Sequence, residues 1–172
     1  AALEERARAF SGERRVRLEM AANGTVDLTD TSLAGPVRTP WRVAICETPV
    51  SAEDAFLYHK TTRRAFFDDT REALAGEMGI DEVLFVNEEG FLTEGSYTSL
   101  FVEQDGRLLT PALRHGLLPG TFRAALLETG RAIEADLTPT DLVNAEVFLG
   151  NSVRGLVRAD VLYRPLAAEA AE

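Results

Sequence analysis

The sequence has little of several residue types, and each scarcity argues against a class of protein. Its 172 residues include one cysteine, Cys46, which cannot form an internal disulfide and so fits the reducing cytoplasm. The two histidines, His59 and His115, show no spacing typical of a metal site, so no metal is expected. No apolar run approaches the roughly 20 residues that cross a bilayer, and no secretory signal is recognisable, so no membrane association is expected.

Positive charge is also scarce. The chain has 18 Lys and Arg against 28 Asp and Glu, which gives a formal net charge of -10. The basic face of a nucleic-acid-binding protein is therefore missing, and no nucleic acid partner is expected. A serine hydrolase is disfavoured because there is no G-x-S-x-G motif. At 45% hydrophobic residues, the chain can bury a core without disulfides.

Lysine is the rarest cation, because Lys60 stands alone among 17 arginines. Only lysine can lose its proton and attack a carbonyl as a primary amine. Lys60 lies just before a predicted helix, where partial burial would lower its pKa as a Schiff-base lysine requires. The alternative is a surface lysine that survived by chance. Either arginine of the following Arg63-Arg64 pair could meet an anionic substrate, although solvent exposure is the simpler interpretation.

The pattern along the chain predicts a mixed α/β protein rich in strands. The Gly35-Pro36 to Thr39-Pro40 breaker cluster divides it into residues 1–40, the end of an N-terminal domain, and residues 41–172, a C-terminal domain. Helices are predicted over 3–10, 62–78 and 122–129 and from Thr138. Strands are predicted over 16–20, 26–28, 41–47, 83–86, 91–93, 100–102, 108–110 and 147–149.

Two further features could bind a cofactor. Glu94 precedes Gly95-Ser96 in an apolar stretch, so its carboxylate either points inward and needs a cationic partner or lies solvated in a turn. The segment 117–123 opens a helix with free backbone N–H groups, and Gly150-Asn151-Ser152 follows a strand. Together these two segments suggest an anion site, although each alone is only a helix start or a turn.

Taken in order, these motifs resemble the fold-type IV pyridoxal-phosphate enzymes. The resemblance covers about residues 50–160. One departure is Ser99, where the family commonly has asparagine. The matching segments are His59-Lys60-Thr61-Thr62, Asp81 to Asn87, Thr93-Glu94-Gly95-Ser96, Gly116 to Gly120 ahead of Arg123, and Phe148 to Ser152 ahead of Arg154-Gly155-Leu156.

This resemblance implies the D-amino-acid aminotransferase-like fold, with a C-terminal strand-rich domain surrounded by helices. It also implies pyridoxal 5'-phosphate as the cofactor. Lys60 would form the Schiff base and move protons, and Glu94 would pair with the pyridine nitrogen. The phosphate would be bound by the backbone amides of Thr121 and Phe122 together with Ser152.

Within this family, the His-Lys-Thr-Thr box and the Gly-Asn-Ser-x-Arg-Gly-Leu ending favour 4-amino-4-deoxychorismate lyase. That lyase forms 4-aminobenzoate, a folate precursor, and pyruvate. An aminotransferase for branched-chain or D-amino acids is the alternative, and a truncated non-catalytic remnant of the fold is the second. The resemblance further implies an amino-acid-like small-molecule substrate and a homodimer, associated with or fused to aminodeoxychorismate synthase.

Overall fold

The protein is described by a computed structural model that covers residues 2–33 and 38–162. The chain divides into two compact units between residues 37 and 38, close to the boundary predicted at Pro40. The predicted strand-rich α+β class is confirmed. No helix among the described residues is long and apolar enough to cross a bilayer.

The first unit is a short helix and a hairpin. Helix α1 spans Ala2–Ala7, strand β1 spans Arg14–Met20 and strand β2 spans Val26–Ser32. The strands pair antiparallel across the Ala22-Asn23-Gly24 turn, where Gly24 adopts a positive φ of 82°. Both strands are longer than predicted.

The described part of the second unit, residues 38–162, contains eight strands and two longer helices. The strands are β3 (Trp41–Ile45), β4 (Glu82–Val86), β5 (Leu92–Gly95), β6 (Ser99–Gln104), β7 (Arg107–Pro111), β8 (Ala132–Ala135), β9 (Glu146–Asn151) and β10 (Gly155–Leu162). Helix α2 spans Ala65–Met78, and α3 spans Thr121–Glu128. Short 3-10 helices cover Ala55–Tyr58, Leu113–His115 and Pro139–Leu142.

One sheet unites these strands in the order β5-β4-β3-β10-β9-β6-β7-β8. Strand β6 also pairs with β5 through Glu94 and Ser99, so the sheet closes on itself through six of its strands. The pairings β10–β3, β3–β4 and β7–β8 are parallel, and the others are antiparallel. This closure of the sheet brings the ends of several strands together around Glu94.

Two apolar clusters lie where the helices of the second unit pack on its sheet. Beneath α2 lie Val83 and Phe85 of β4, together with Cys46, whose thiol is buried. At α3, Leu126 of the helix packs with Phe101 of β6 and Ala132 of β8. These contacts explain why the helices form, because each buries one apolar face against the sheet.

The structure corrects one predicted element and adds two. The helix predicted from Thr138 is only a 3-10 turn over Pro139–Leu142, and Asn144 ends the segment with a positive φ of 61° just before β9. Strands β8 and β10 were not predicted. Polar residues interrupt β10 at alternate positions, because one of its faces is solvated.

Candidate active site

Lys60 lies in the extended segment that joins the 3-10 helix Ala55–Tyr58 to α2. The preceding residue, His59, has φ −126° and ψ 133°, an extended conformation. The Lys60 side chain is exposed, which corrects the expectation that this junction would partly bury it. The junction lies on the surface because only Leu57 of the 3-10 helix is buried. Lys60 nevertheless lies close enough to Glu94 for its charge to lower the pKa of that carboxyl.

Glu94 points inward from β5 and is 9% exposed. The solvated-turn interpretation is therefore wrong for this residue. Burial raises its pKa to about 7, although a hydrogen bond from the Leu118 backbone and the positive charges of Arg64 and Lys60 act in the opposite direction. The site thus holds a carboxyl that an additional positive charge would ionise fully.

Arg64 is the second cation near Glu94. It is half-buried at the residue that precedes α2, with its guanidinium 5.2 Å from the centre of the Phe67 ring. A cavity of about 340 Å³ adjoins it. Polar and apolar residues line this cavity, among them His59, Thr61, Arg64, Phe66 and Leu118. The solvent-exposed interpretation therefore does not describe Arg64.

The proposed anion site combines the start of α3 with the turn after β9. The hydroxyls of Thr121 and Ser152 are 2.8 Å apart, although 31 residues separate them in the chain. Thr121 and Phe122 are the first residues of α3, so their N–H groups have no intrahelical acceptors and lie at the positive end of the helix dipole. Gly120, the N-cap residue, makes no side-chain capping hydrogen bond to them.

Glycine is required where the two segments meet. A Cβ atom on Gly150 would lie 2.7 Å from Cε1 of Phe122 and 3.0 Å from the Gly155 carbonyl oxygen. The close approach of β9 to α3 therefore needs the absent side chain. This approach is what brings Ser152 to Thr121.

Ser99 joins the buried carboxylate to the anion site. On neighbouring strands, Ser99 of β6 pairs with Glu94 of β5 on one side and with Gly150 of β9 on the other. A Cβ on Gly120 would lie 3.2 Å from the Ser99 hydroxyl. Glu94, Gly150 of β9 and the start of α3 thus surround one residue of β6.

Three residues that contribute to this site lie in or beside the sequence motifs, but the sequence alone assigned them no role. The Leu118 backbone contacts Glu94, Ser99 lies at the centre of the site, and Glu82 is a second fully buried carboxyl. Glu82 could have been recognised, because an acidic residue directly before the apolar run 83–86 falls inside the buried strand. The roles of Ser99 and Leu118 depend on the register of the strands and on the course of a loop. Neither can be predicted from the residues next to them in the sequence.

Comparison with known proteins places these motifs in a family. The profile of the class IV aminotransferases matches residues 8–161. A Schizosaccharomyces pombe protein named as a candidate aminodeoxychorismate lyase is 31% identical over 157 residues, which cover 88% of this chain and 68% of that protein. The aminodeoxychorismate lyase of Saccharomyces cerevisiae is 34% identical over 139 residues, covering 70% of this chain and 37% of that protein.

Solved structures show the same fold. A crystal structure named as a candidate amino-acid aminotransferase from Mesorhizobium loti superposes with a TM-score of 0.86 at 36% identity. The match covers 93% of this chain and 78% of that one. Against the two fungal relatives, the chain spans about two thirds of the first and little more than a third of the second.

Proposed function

The chain belongs to the class IV aminotransferase family, whose enzymes use pyridoxal 5'-phosphate, and we propose that it is a lyase that binds this cofactor. The reaction we propose converts 4-amino-4-deoxychorismate to 4-aminobenzoate and pyruvate. Two fungal relatives carry the name of this lyase, at 31% and 34% identity. The observation that carries the proposal is that the buried Glu94 lies within range of the charges of Arg64 and Lys60 and is linked through Ser99 to Gly150, on the strand that leads to the Thr121–Ser152 pair.

The residues present fit the cofactor. A phosphate needs backbone N–H groups and hydroxyls at the positive end of a helix, and the start of α3 with Ser152 provides them. A pyridine nitrogen that stays protonated needs a buried carboxylate, and Glu94 is one. An aldehyde needs a primary amine, and Lys60 is the chain's one lysine side chain.

When bound, the cofactor supplies an aldehyde that condenses with amines and a ring that withdraws electrons from the substrate carbon next to the nitrogen. Lys60 Nζ would hold the cofactor through its aldehyde and, as a free amine, would accept the proton lost from that carbon. The Glu94 carboxylate would pair with the protonated ring nitrogen, and its burial would exclude the water that weakens such a pairing. In the proposed reaction the substrate ring loses that proton and its bond to the enolpyruvyl oxygen, the enolpyruvyl fragment takes up one proton and leaves as pyruvate, and the ring becomes aromatic, so no oxidant or reductant is needed.

The first test uses the single lysine. The cofactor-loaded chain is expected to show an absorbance band at about 410–430 nm. Lys60→Ala and Lys60→Arg should both abolish this band. The matched control is the double variant Lys60→Arg/Arg107→Lys, which moves the lysine to an exposed position on β7 and keeps the composition unchanged. A band that survives in any of these variants would contradict the assignment of Lys60.

A second candidate function is amino transfer, which the 36% identity to the Mesorhizobium loti protein favours. Both reactions would use Lys60 and Glu94, so the variants above do not separate them. Pyruvate release from 4-amino-4-deoxychorismate, followed with a coupled dehydrogenase, supports the lyase. Amino transfer from branched-chain or D-amino acids to 2-oxoglutarate, without pyruvate release, supports the aminotransferase. A chain that binds no cofactor and shows neither activity supports the non-catalytic alternative.

We propose in addition that the chain acts in the cytoplasm as a homodimer, and that it is associated with or fused to aminodeoxychorismate synthase. The single cysteine supports the compartment, because a reducing environment does not require disulfides. The assembly follows from the family resemblance. Sedimentation of the loaded chain, with and without the synthase, tests it.

A further inference from the structure

Glu82 is a buried carboxyl that lies outside the proposed chemistry and accepts an unusual number of hydrogen bonds. It opens β4 and has no exposed surface. Ser96 donates to one oxygen from its backbone N–H at 3.1 Å and from its hydroxyl at 2.5 Å. Tyr97 N–H and the Thr98 hydroxyl donate to the other oxygen at 3.3 and 3.0 Å. Its own neighbour, Val83 N–H, donates at 2.9 Å.

A carboxyl in this position is costly for stability, because burial raises the pKa of Glu82 against the hydrogen bonds that lower it. An apolar side chain would fill the same space without this penalty. Four of the five donors also belong to a single turn, residues 96–98, rather than to scattered parts of the core. Glu82 therefore specifies the geometry of that turn.

The turn is tightly closed around the carboxyl. Gly95 N–H donates to the Thr98 carbonyl at 2.7 Å. A Cβ on Gly95 would collide with the Thr98 hydroxyl and lie 3.1 Å from Glu82 Oε2. Immediately outside the turn stand Glu94 and Ser99, which pair with each other across β5 and β6. The shape of the turn thus determines where Glu94 lies.

A second set of hydrogen bonds leads from the same turn to the anion site. The Tyr97 carbonyl accepts from Asn151 Nδ2 at 3.3 Å. Asn151 Oδ1 in turn accepts from the backbone N–H groups of Val153 and Arg154, each at 3.0 Å. These bonds shape the turn that holds Ser152, whose hydroxyl meets Thr121.

We propose that Glu82 is a positioning residue for both ends of the cofactor site, holding the Glu94 carboxylate and, through Tyr97 and Asn151, the Ser152 turn in one fixed arrangement. The inference rests on the proposed function for the identity of the ligand. The positioning itself is a property of the unloaded chain and can be measured there.

The first experiment is amide hydrogen exchange of the unloaded full chain, followed by NMR. Glu82→Gln keeps the shape of the side chain but replaces an acceptor oxygen with a donor NH2, so at least one donor of the turn loses its partner. We expect exchange to quicken about tenfold or more at Ser96 and Tyr97 and also at Val153 and Arg154.

Two other variants make this experiment specific. Asp81→Asn removes the same charge from the adjacent residue, whose carboxylate accepts from Arg42 N–H at 2.8 Å, and should leave all four amides unchanged. Asn151→Ala should quicken Val153 and Arg154 but spare Ser96. If Glu82→Gln quickens only Ser96 and Tyr97, the connection to Ser152 is overturned. If it quickens none of the four, the whole inference is overturned.

The second experiment measures affinity for pyridoxal 5'-phosphate by absorbance and for inorganic phosphate by calorimetry. Glu82→Gln should weaken both about tenfold, whereas Asp81→Asn should weaken neither. Unchanged phosphate affinity in Glu82→Gln would refute positioning of the Ser152 turn. If the unsubstituted chain binds no cofactor, the proposed function fails, while the exchange experiment still decides the role of Glu82.

Discussion

Two buried carboxyls lie in this site, and they differ in what surrounds them. Glu82 is surrounded by hydroxyl and amide donors of one turn. Glu94 lies within range of the charges of Arg64 and Lys60, yet burial still raises its pKa to about 7. A fixed network of neutral donors suits a structural role, whereas a carboxyl that titrates near neutrality suits exchange of charge with a ligand.

The raised pKa of Glu94 predicts a pH-dependent stability for the cofactor-free chain. Between pH 4.5, the ordinary pKa of a glutamate side chain, and about pH 7, the native state binds this proton more tightly than the unfolded state does. The stability that Glu94 contributes is therefore fully present below pH 4.5 and is lost as pH rises through 7, by about 3 kcal/mol. Glu94→Gln cannot ionise, so the difference between its free energy of unfolding and that of the unsubstituted chain should rise by about 2.5 kcal/mol between pH 5 and pH 8, in favour of the variant.

Urea unfolding at the two pH values measures this difference. Glu146→Gln is the matched control, because Glu146 is exposed on β9 and pairs with Arg158 at the surface. Its free energy of unfolding should follow that of the unsubstituted chain at both values. Parallel pH profiles for Glu94→Gln and the unsubstituted chain would show that Glu94 is already ionised at pH 5.

At the scale of elements, α2 has a defined end that sets where β4 and Glu82 begin. Gly79 follows the helix in the left-handed conformation, with φ 63° and ψ 37°, and its N–H donates to the Ala75 carbonyl. Arg42 of β3 donates to the Gly79 carbonyl at 3.2 Å, which connects the helix end to the sheet. Only glycine adopts this conformation without strain.

The two glycines near the end of α2 should respond oppositely to alanine. Gly79→Ala should lower the free energy of unfolding by about 1–2 kcal/mol, because a Cβ strains the left-handed conformation. Gly76 lies inside the helix with open space around its Cβ position, so Gly76→Ala should raise stability by about 0.5–1 kcal/mol. Thermal and urea unfolding of both variants measure the effects. If the two substitutions changed the free energy of unfolding equally, the role of Gly79 in ending the helix would be contradicted.

Elements with a strong local signal could be predicted from the sequence. The end of α2 at Gly79 and the buried strand of Val83 and Phe85 follow from helical spacing and from apolar residues on both faces. Strand β8 could not be predicted, because Ala132–Ala135 is short and two of its residues are exposed. Its parallel pairing with β7 is a tertiary contact that leaves no periodic pattern.

Within the site, too, features with a local signal could be predicted from the sequence, whereas contacts between distant elements could not. The inward Glu94 was one of two open alternatives, since an acid in an apolar stretch has a physical reason to be buried but also occurs in turns. The meeting of Thr121 with Ser152 depends on Gly150 and Phe122, which belong to different elements. The network around Glu82 depends on the register of β4 against β5, which only the closed sheet defines.

At the scale of the whole molecule, the charged groups and the buried core are distributed unevenly along the chain. The net charge is -10, yet Lys60 and Arg64 bring local positive charge to the one carboxyl that the proposed chemistry uses. The residues assigned to cofactor binding all lie beyond residue 37, in the second unit. In the first unit, no residue between 3 and 33 is classed as buried, and none of its apolar residues belongs to the buried core. A core that supports independent folding is thus present only in the second unit among the described residues.

This distribution predicts that a chain beginning at Arg38 folds on its own and keeps the site. Residues 38–172 contain the closed sheet and both apolar clusters, and a lone two-stranded hairpin contributes little stability by itself. The shortened chain should unfold cooperatively, as followed by circular dichroism, and should show the same absorbance band with pyridoxal 5'-phosphate. The matched control is the shortened chain with Lys60→Ala, which should fold equally well but lack the band. A shortened chain that folds without the band would place an essential cofactor contact in residues 1–37, and one that does not fold would show that the second unit depends on the first.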